Sequence, residues 1–455
     1  MKFDRNAVSV FRFVRCTFDP QDGVARLVYA FDDGPELVET VTVPGAPFAL
    51  DGARAVAVQR ALRLLHLIAG VSYYKAAVPG TIAIEGEGID AATAALVEQV
   101  YLNGLGEFAY RNGLDLHGRI RFPVASDAGA AAPALGLDER ALVAIGGGKD
   151  SLVSIEALRA AGVAQTVTWI GGSQLIRTCA ERTGLPTLNI GRALAPELFE
   201  INRQGAWNGH IPVTAVNSAI LVLAAVLTGA GQVVFSNERS ASYGSLIVSA
   251  DGTTTSEVNH QWSKGWAFEQ AFGEHVERSV AADLHYYSLL RPLSELAVAR
   301  QFARNDHYDA HFSSCNRNFH ILGDKPAQRW CGLCPKCHFV FLALAPFMPK
   351  PRLVRIFGRN LLDDIAQAPG FDALLEFQDH KPFECVGEGR ESRAAMALLV
   401  SRADWREDAL VARFAREIQP QLDPAELAVE PLLVIGGEHR VPAAVWERIG
   451  AHFAA

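Results

Sequence analysis

The stretch that decides the fold is residues 141–151, Ala141-Leu-Val-Ala-Ile-Gly-Gly-Gly-Lys-Asp-Ser151. Its first half, residues 141–145, is a continuous apolar run typical of a buried strand, and three glycines follow. Residues 151–161 then repeat apolar side chains at helical spacing. The segment predicts a strand, a tight glycine turn and a helix, an arrangement that directs backbone N–H groups towards an anion.

The alternation of strand and helix continues after this turn. Short apolar runs at residues 166–170, 187–190 and 232–235 are separated by helical patterns at 174–183 and 213–227. Strands that alternate with helices are typical of a parallel sheet covered on both faces. We therefore predict an α/β domain built on a parallel sheet.

The region before this domain has a different pattern. Short runs at residues 10–18, 24–31 and 37–43, separated by Asp-Gly turns, predict a meander of strands. Helical patterns follow at 54–69 and 91–110. An α+β domain is therefore expected before the parallel sheet.

Two further changes of pattern divide the chain. The small-residue segment 125–134 (ASDAGAAAPA) is typical of a linker, and the sequence beyond Pro346 is mainly helical. The predicted regions are an α+β N-terminal domain at 1–137, the parallel-sheet domain at 138–345 and a mainly helical region at 346–455.

Composition excludes several classes of protein. The 455 residues are 49% hydrophobic and 20% charged, which is ordinary for a folded globular chain. The net charge of −8 argues against a nucleic-acid partner. The most apolar run, residues 219–227, is shorter than the roughly 20 residues of a membrane helix, and the N-terminus does not resemble an export signal. We expect a cytoplasmic protein without a membrane anchor; its oligomeric state is not predicted.

The glycine turn fits neither of two common nucleotide motifs. Asp150 follows Lys149 where a Walker A loop requires Ser or Thr, and Val143 occupies the position of its first glycine. Ser151 occupies the place of the third glycine in the dinucleotide fingerprint. Both motifs are therefore excluded.

The turn instead resembles the Ser-Gly-Gly-x-Asp-Ser loop of the PP-loop ATP pyrophosphatases, which cleave ATP between its α- and β-phosphates and adenylate a substrate. Gly146 stands where that family usually has serine. The resemblance implies a Rossmann-like fold that binds ATP with residues 146–151, Gly147, Gly148 and Ser151 holding pyrophosphate. The nucleotide-binding residues implied here are Gly146, Gly147, Gly148, Lys149, Asp150 and Ser151.

Asp150 has a second implied role, because Mg²⁺ prefers carboxylate oxygen and this family uses the equivalent aspartate to hold it. The alternative for the loop is a tight turn in which Asp150 or Ser151 only caps a helix.

A second loop follows the strand at 232–235, at the edge of the sheet where ligands of open α/β sheets bind. By the same resemblance, Asn237 and Glu238 would face the nucleotide. Arg239 would neutralise the pyrophosphate leaving group or bind a substrate carboxylate. Its alternative is a surface arginine paired with Glu238.

The cysteine pattern predicts a metal site. Cys331, Cys334 and Cys337 lie within seven residues, and Cys315 supplies a fourth thiol upstream. Four thiolates suit a structural zinc ion. A ferredoxin cluster would require a further cysteine near Phe341, and redox-active or simply buried thiols are the other alternative. His311, His320 and His338 are alternatives to Cys315 as fourth ligand.

A late cysteine cluster also occurs in the PP-loop enzyme that makes 7-cyano-7-deazaguanine. That resemblance supplies an alternative function, although its other hallmark sequences are not evident and its chain is about half this size.

The order of motifs over the whole chain resembles the MurL family of epimerases. The passages that carry this resemblance are 12–16 (RFVRC), 65–75 (LHLIAGVSYYK), 146–151, 236–242 (SNERSAS), 259–266 (NHQWSKGW), 330–339 (WCGLCPKCHF) and 381–387 (KPFECVG). The resemblance implies inversion of the terminal L-Glu of UDP-MurNAc-L-Ala-L-Glu to D-Glu in peptidoglycan synthesis. It also implies the use of ATP and Mg²⁺ and the release of AMP and diphosphate.

Three side chains are candidates for the proton transfer that this reaction needs. His260 and Lys264 lie in the tryptophan-rich passage 259–266, and Cys385 lies in 381–387. Their alternatives are a solvated lysine, a hydrogen-bonded histidine and a buried thiol. Tyr73, Tyr74 and Lys75 are weaker candidates for stacking on uracil and contacting a phosphate, and their alternative is packing at one helix end.

Three function classes therefore remain open from the sequence. They are the epimerase, another adenylating PP-loop ligase, and a non-catalytic nucleotide-binding module.

Overall fold

The structure is a computed structural model that describes residues 3–125, 131–248, 255–319, 325–377 and 381–454. The strands in this part of the chain are β1 Val10–Asp19, β2 Val24–Phe31, β3 Leu37–Thr42, β4 Thr81–Ile84, β5 Asp138–Ala144, β6 Gln165–Ile170, β7 Thr187–Ala193, β8 Ala230–Phe235, β9 Ser245–Val248, β10 Thr255–Val258 and β11 His285–Ser288. Residues 126–130 of the predicted linker lie outside the described residues.

Helices fill most of the rest of the described chain. The α-helices are α1 Gly52–Ala69, α2 Val71–Tyr74, α3 Ala91–Gly104, α4 Gly106–Asn112, α5 Lys149–Ala160, α6 Gln174–Arg182, α7 Pro196–Arg203, α8 Val213–Thr228, α9 Trp266–Ser279, α10 Glu295–Ala303, α11 Asn316–Phe319, α12 Pro335–Leu344, α13 Lys350–Phe357, α14 Ala368–Leu374, α15 Gly389–Val400, α16 Ala409–Arg413, α17 Glu430–Leu433 and α18 Ala443–Ala454. Short 3₁₀ turns include Arg239–Ser242 and Trp262–Lys264.

Nine strands form one mixed sheet in the order β11-β8-β5-β6-β7-β3-β2-β1-β4. The first five are parallel, as the alternation of strands and helices predicts. The meander β1–β3 is antiparallel, also as predicted, and it joins the parallel half where β3 pairs with β7. The α/β architecture is confirmed, but the two halves share one sheet across the boundary proposed at residue 137; the domain limits themselves stay a prediction.

The parallel half positions the glycine loop. β5 lies between β8 and β6 in the middle of this half, and its last residues lead directly into the loop before α5. The loop at 236–242 follows β8, the neighbouring strand. Because parallel neighbours end at the same edge, the fold brings these two loops together.

Apolar packing covers both faces of the sheet. One cluster joins the N-terminal strands with α1, α3, α8 and α9, and a second joins α5, α10 and α12 with the helices of the C-terminal region. The predicted helical character beyond Pro346 is thus confirmed, and the apolar run 219–227 lies buried in α8. The segment Gly52–Tyr74 is long and apolar enough to span a membrane, but 72% of its most apolar window is buried inside the protein.

One predicted helix is interrupted. The pattern at 91–110 forms α3 and α4, which meet at Leu105. A Cβ on Gly104 would lie only 2.5 Å from Pro212 Cγ, so glycine permits this close approach. The break turns α4 towards residues that follow β10, and these residues form part of the candidate site.

Candidate active site

The glycine loop has the geometry of an anion-binding turn. Gly147 has a φ of +81°, and Gly148 is the N-cap of α5. A Cβ on Gly146 would meet no described atom within 4 Å, so this position opens onto free space. The Ser151 hydroxyl donates to the Gly148 carbonyl at 3.2 Å. These features fit a phosphate group at the start of a helix.

The loop is supported from outside by the segment that leads to the cysteines. The Ser313 amide donates to the Gly147 carbonyl at 2.8 Å, and a Cβ on Gly148 would lie 3.3 Å from Ser314 Cβ. A larger residue at Gly148 would therefore press against Ser314, and one at Gly147 would be strained by its φ of +81°.

A buried charge cluster lies at the start of α5. The Lys149 side chain is only 1% exposed and forms ion pairs with Asp150 and Glu295. Burial opposes ionisation of Asp150, but the neighbouring Lys149 and Lys336 charges keep the Asp150 pKa below its ordinary value. Burial raises the Glu295 pKa to about 7, against the opposing effect of Lys149. Lys149 is thus engaged by protein carboxylates in this structure.

The loop after β8 lies beside this cluster. The Asn237 side chain donates to Ser288 Oγ at 3.0 Å, and Glu238 is 5% exposed. Burial and the nearby Asp150 charge raise the pKa of Glu238. Glu238 therefore lies near Asp150 of the glycine loop. Carboxylate oxygens such as theirs suit Mg²⁺.

Arg239 has a different environment from the one predicted in the surface alternative. Its amide donates to the Leu293 carbonyl at 2.8 Å, and its guanidinium lies 3.5 Å from the Gly436 carbonyl oxygen. Burial raises the pKa of Glu388, and the Arg239 charge partly opposes this increase. Arg239 is half-buried at the border between the loop and the C-terminal region.

Arg291 joins the loop after β8 to the segment that carries Lys264. Its guanidinium donates to the Glu238 carbonyl at 2.7 Å and to the Lys264 carbonyl at 2.5 Å. Glu269 accepts from the same guanidinium at 2.9 Å. Because Arg291 is 2% exposed and fully engaged, it holds both loops in fixed positions.

The three candidates for proton transfer come together in space. Lys264 Nζ lies 3.1 Å from Cys385 Sγ, and His260 lies close enough for its charge to act on the Cys385 thiol. Burial would raise the pKa of the Cys385 thiol, but Lys264, His260 and Lys336 together hold it well below its ordinary value. These cations therefore favour the thiolate form of Cys385, which is the form of cysteine that accepts a proton.

The three candidates for proton transfer also lie close to the glycine loop. Burial opposes ionisation of Lys264, but the charges of Cys385, Glu238 and Asp150 raise its pKa. Lys264 thus interacts with the thiol on one side and with the acidic groups of the nucleotide loops on the other. The structure brings together the residues predicted from three distant passages of sequence.

The four cysteines form the predicted cluster. The sulfur atoms of Cys315, Cys331, Cys334 and Cys337 all lie within 4.8 Å of one another, with Cys337 Sγ 3.7 Å from Cys331 Sγ and 3.5 Å from Cys334 Sγ. Four thiolates at about 2.3 Å around tetrahedral zinc would stand about 3.8 Å apart. The donor set therefore fits zinc.

The fourth member of the described cysteine group is Cys315 and not one of the histidines considered as alternatives. Cys315 completes the group of four, while His338 Nε2 lies 2.5 Å from Gln367 Oε1. His311 is not part of the group that the described residues form, and His320 lies outside the described residues. All seven cysteines are described and are free thiols.

Several residues of the site were missed by sequence reasoning. Lys336 bonds to the Cys385 carbonyl, Glu107 bonds to His260, and Lys381 donates to the Tyr243 carbonyl at 3.0 Å. The position of Lys336 between the cysteines of 330–339 could have indicated its proximity to the site. No local sequence pattern indicates Glu107. The uracil interpretation of Tyr73 and Tyr74 is wrong, because both rings are 0% exposed in the N-terminal core.

Comparison with known proteins covers the chain almost end to end. The model of the MurL N-terminal domain matches residues 2–289, and that of the MurL C-terminal domain matches residues 311–428. A UDP-N-acetyl-alpha-D-muramoyl-L-alanyl-L-glutamate epimerase of Xanthomonas oryzae pv. oryzae is 78% identical over 452 residues, 99% of each chain. Proteins of the same name from Salinispora tropica and a Micromonospora species are each 42% identical, over 98% and 96% of this chain and 96% of their own.

Proposed function

The chain belongs to the MurL family, and we propose on this premise that it is an ATP-dependent epimerase that converts the terminal L-Glu of UDP-MurNAc-L-Ala-L-Glu to D-Glu. The relative with 78% identity is named for epimerisation of this compound. The structural observation that carries the proposal is the contact of Cys385 with Lys264 beside the acidic groups of the glycine loop. Such a site combines groups for adenylation with groups for proton transfer.

The need for ATP follows from the chemistry of the α-carbon. Removal of a proton beside an ionised carboxylate would place a second negative charge next to the first. Transfer of AMP to the carboxylate forms an acyl phosphate, which accepts the electron pair of the Cα–H bond far better. Water then cleaves the anhydride and restores the carboxylate with AMP.

The first step would use the parallel half of the sheet. The order of its five strands, with the glycine loop after β5, supports a PP-loop fold. Residues 146–151 would hold the phosphates, and the Asp150 and Glu238 carboxylates would hold Mg²⁺, which screens the phosphate charge. Arg239 would contact the pyrophosphate or a substrate carboxylate from the border of the loop.

The second step would use the thiolate. Cys385 would accept the α-proton, because the cations around its sulfur favour the thiolate form. Return of a proton to the opposite face would invert the stereocentre, and Lys264, 3.1 Å from this thiol, or His260 would supply that proton.

The cysteine cluster would serve the site indirectly. A zinc ion bound to four thiolates has no free position for substrate and is structural. It would fix both Ser313 beside the glycine loop and Lys336 beside Cys385. The N-terminal half would remain available for the UDP-sugar, and the reaction would take place in the cytoplasm, where ATP and UDP-linked precursors occur.

The proposal is tested by incubating the protein with ATP, Mg²⁺ and UDP-MurNAc-L-Ala-L-Glu. We expect AMP and diphosphate only when the muramoyl dipeptide is present, together with D-Glu in the hydrolysed product. AMP with unchanged L-Glu would instead support another PP-loop ligase. Absence of AMP with either glutamate isomer would support the binding-module alternative.

A further inference from the structure

Glu107 connects the N-terminal half to the proton-transfer group. It lies in α4, is 6% exposed, and its Oε2 forms an ion pair with His260 Nδ1. The two residues are 153 positions apart in the sequence, so only the fold brings them together. The break at Leu105 allows α4 to point at this site.

His260 thereby contacts two groups of opposite role. One is the Glu107 carboxylate, with which it forms an ion pair, and the other is the Cys385 thiol, whose negative charge raises the His260 pKa. A carboxylate that orients a histidine, which in turn contacts a thiol, is the arrangement that activates nucleophilic and basic cysteines. None of the sequence motifs includes Glu107.

Neighbouring charges hold Glu107 in its ionised form. Arg111 Nε lies 2.5 Å from Oε1, and His210 Nδ1 lies 3.8 Å from Oε2. Although burial opposes ionisation, His260 and Arg111 keep the pKa of Glu107 below its ordinary value. The carboxylate therefore remains a fixed negative charge beside His260.

We propose that Glu107 is a positioning residue that keeps His260 protonated against Cys385, so that Cys385 stands as the thiolate that removes the α-proton. This inference rests on the proposed function, because that reaction identifies the proton that Cys385 removes as the α-proton of the terminal glutamate. In the step, the sulfur lone pair forms an S–H bond as the Cα–H bond breaks. The electron pair of that bond moves into the acyl carbonyl of the adenylate.

The charge balance around the thiol explains why a carboxylate is required. Cys385 faces Lys264, Lys336, His260 and the adjacent Glu384, and burial raises the pKa of Glu384 to about 7. With two ammonium groups nearby, a buried imidazole would favour its neutral form. Burial indeed lowers the His210 pKa to about 4, whereas Cys385 and Glu107 raise that of His260 to about 9 despite burial.

The test measures the thiol directly. Iodoacetamide is reacted with wild type and with Glu107→Gln between pH 5 and 9, and alkylation of the peptide containing Cys385 is followed by mass spectrometry. We expect the midpoint of the pH–rate profile to lie about one unit higher in the variant, because the thiol pKa rises when the negative charge beside His260 is lost. Glu139→Gln, at an exposed carboxylate paired with Arg448, is the matched control and should leave the profile unchanged.

Activity supplies a second readout. Glu107→Gln should lower the rate of glutamate inversion about tenfold or more while AMP release persists, because the glycine loop is untouched. An unchanged alkylation profile in Glu107→Gln would overturn the proposal. The proposal would also be overturned if a chelator shifted the wild-type alkylation profile by the same amount as the substitution does. Glu107, His210 and His260 would then be metal ligands.

The two proposals fail in distinguishable ways. If wild type makes no D-Glu but the alkylation profile still shifts in Glu107→Gln, the proposed function fails and thiol activation stands. If Glu107→Gln does not fold, His260→Gln tests the same contact and is expected to raise the midpoint of the alkylation profile by a similar amount. His285→Gln, at an exposed histidine, is its control.

Discussion

Lys264 Nζ lies 3.1 Å from Cys385 Sγ, although 121 residues separate the two in the chain. Lys264 ends a short 3₁₀ turn after β10, and Cys385 lies on the segment before α15. The backbone of Lys264 is tied by Arg291 to Glu238 of the loop after β8. This contact thus connects the thiol to the nucleotide side of the site.

Replacement of Lys264 by Met should raise the pKa of the Cys385 thiol, because an ammonium that stabilises the thiolate is removed. We expect inversion to slow by about a hundredfold or more, within the range of general acid–base effects. The measurement is D-Glu formation at saturating ATP and substrate. Lys325→Met, at an exposed position, should retain the wild-type rate; inversion at the wild-type rate in Lys264→Met would contradict the assignment.

Replacement of Asp150 by Asn should abolish AMP release, because the charge that would hold Mg²⁺ at the glycine loop is lost. In contrast, Cys385→Ala should retain AMP release while it loses inversion. The pair separates adenylation from proton transfer and is followed by chromatographic assay of AMP and of both glutamate isomers. Loss of AMP in Cys385→Ala together with its retention in Asp150→Asn would reverse these roles.

Replacement of Cys331 by Ser should remove most of the metal that we expect, about one zinc ion per chain, because a complete set of four thiolates is needed for a closed tetrahedral site. The variant should also unfold at lower denaturant concentration, since structural zinc stabilises the folded state. Elemental analysis of the purified protein measures the metal. Cys16→Ser, a thiol in β1, is the matched control; a wild type that purifies without metal would refute the zinc site.

Removal of the Lys149 ammonium should destabilise the fold, because it leaves Glu295 buried without its partner. Loss of one partner of a buried ion pair typically costs about 3–5 kcal/mol. Urea denaturation of Lys149→Met should therefore show a lower free energy of unfolding. The double variant Lys149→Met with Glu295→Met should recover part of the loss; a double variant less stable than the single one would contradict this explanation.

Three histidines whose pKa values are lowered in the folded protein should make its stability fall in mild acid. Burial lowers the pKa values of His66, His210 and His275 to about 4. Because the unfolded chain binds their protons at about pH 6.5 and the folded chain does not, the stabilisation is complete above pH 6.5 and is lost towards pH 4. For His66, 5% exposed, the shift corresponds to about 3 kcal/mol.

The measurement is the urea midpoint between pH 7.5 and 4. His66→Gln should flatten the decline, since one proton-binding group is removed, whereas the exposed His285→Gln should not. An equal pH dependence in wild type and His66→Gln would show that His66 does not contribute.

The parallel half of the sheet could be predicted because its signals are local. The apolar run before Gly146 and the helical spacing after it lie within a few residues, and β5 and α5 form where they were expected. The cysteine cluster was predictable for the same reason, since Cys331, Cys334 and Cys337 are close in the sequence.

The joining of the two half-sheets and the side-chain contacts of the site could not be predicted from the sequence, because they depend on residues that are far apart in the chain. Pairing of β3 with β7, which makes one sheet from two predicted domains, is not specified by either strand alone. Glu107 and Glu295 are ordinary helix residues until the fold places them against His260 and Lys149. His260, Lys264 and Cys385 were named as separate candidates, and only the structure shows them as one group.

The account's main claim, adenylation coupled to exchange of the α-proton, is tested most directly in D₂O. The protein is incubated there with ATP, Mg²⁺ and UDP-MurNAc-L-Ala-L-Glu, and AMP, glutamate stereochemistry and deuterium at Cα are measured together. We predict one AMP for each D-Glu formed, with deuterium at Cα of that D-Glu. D-Glu that forms without AMP, or that retains its original hydrogen when AMP is released, would contradict the account.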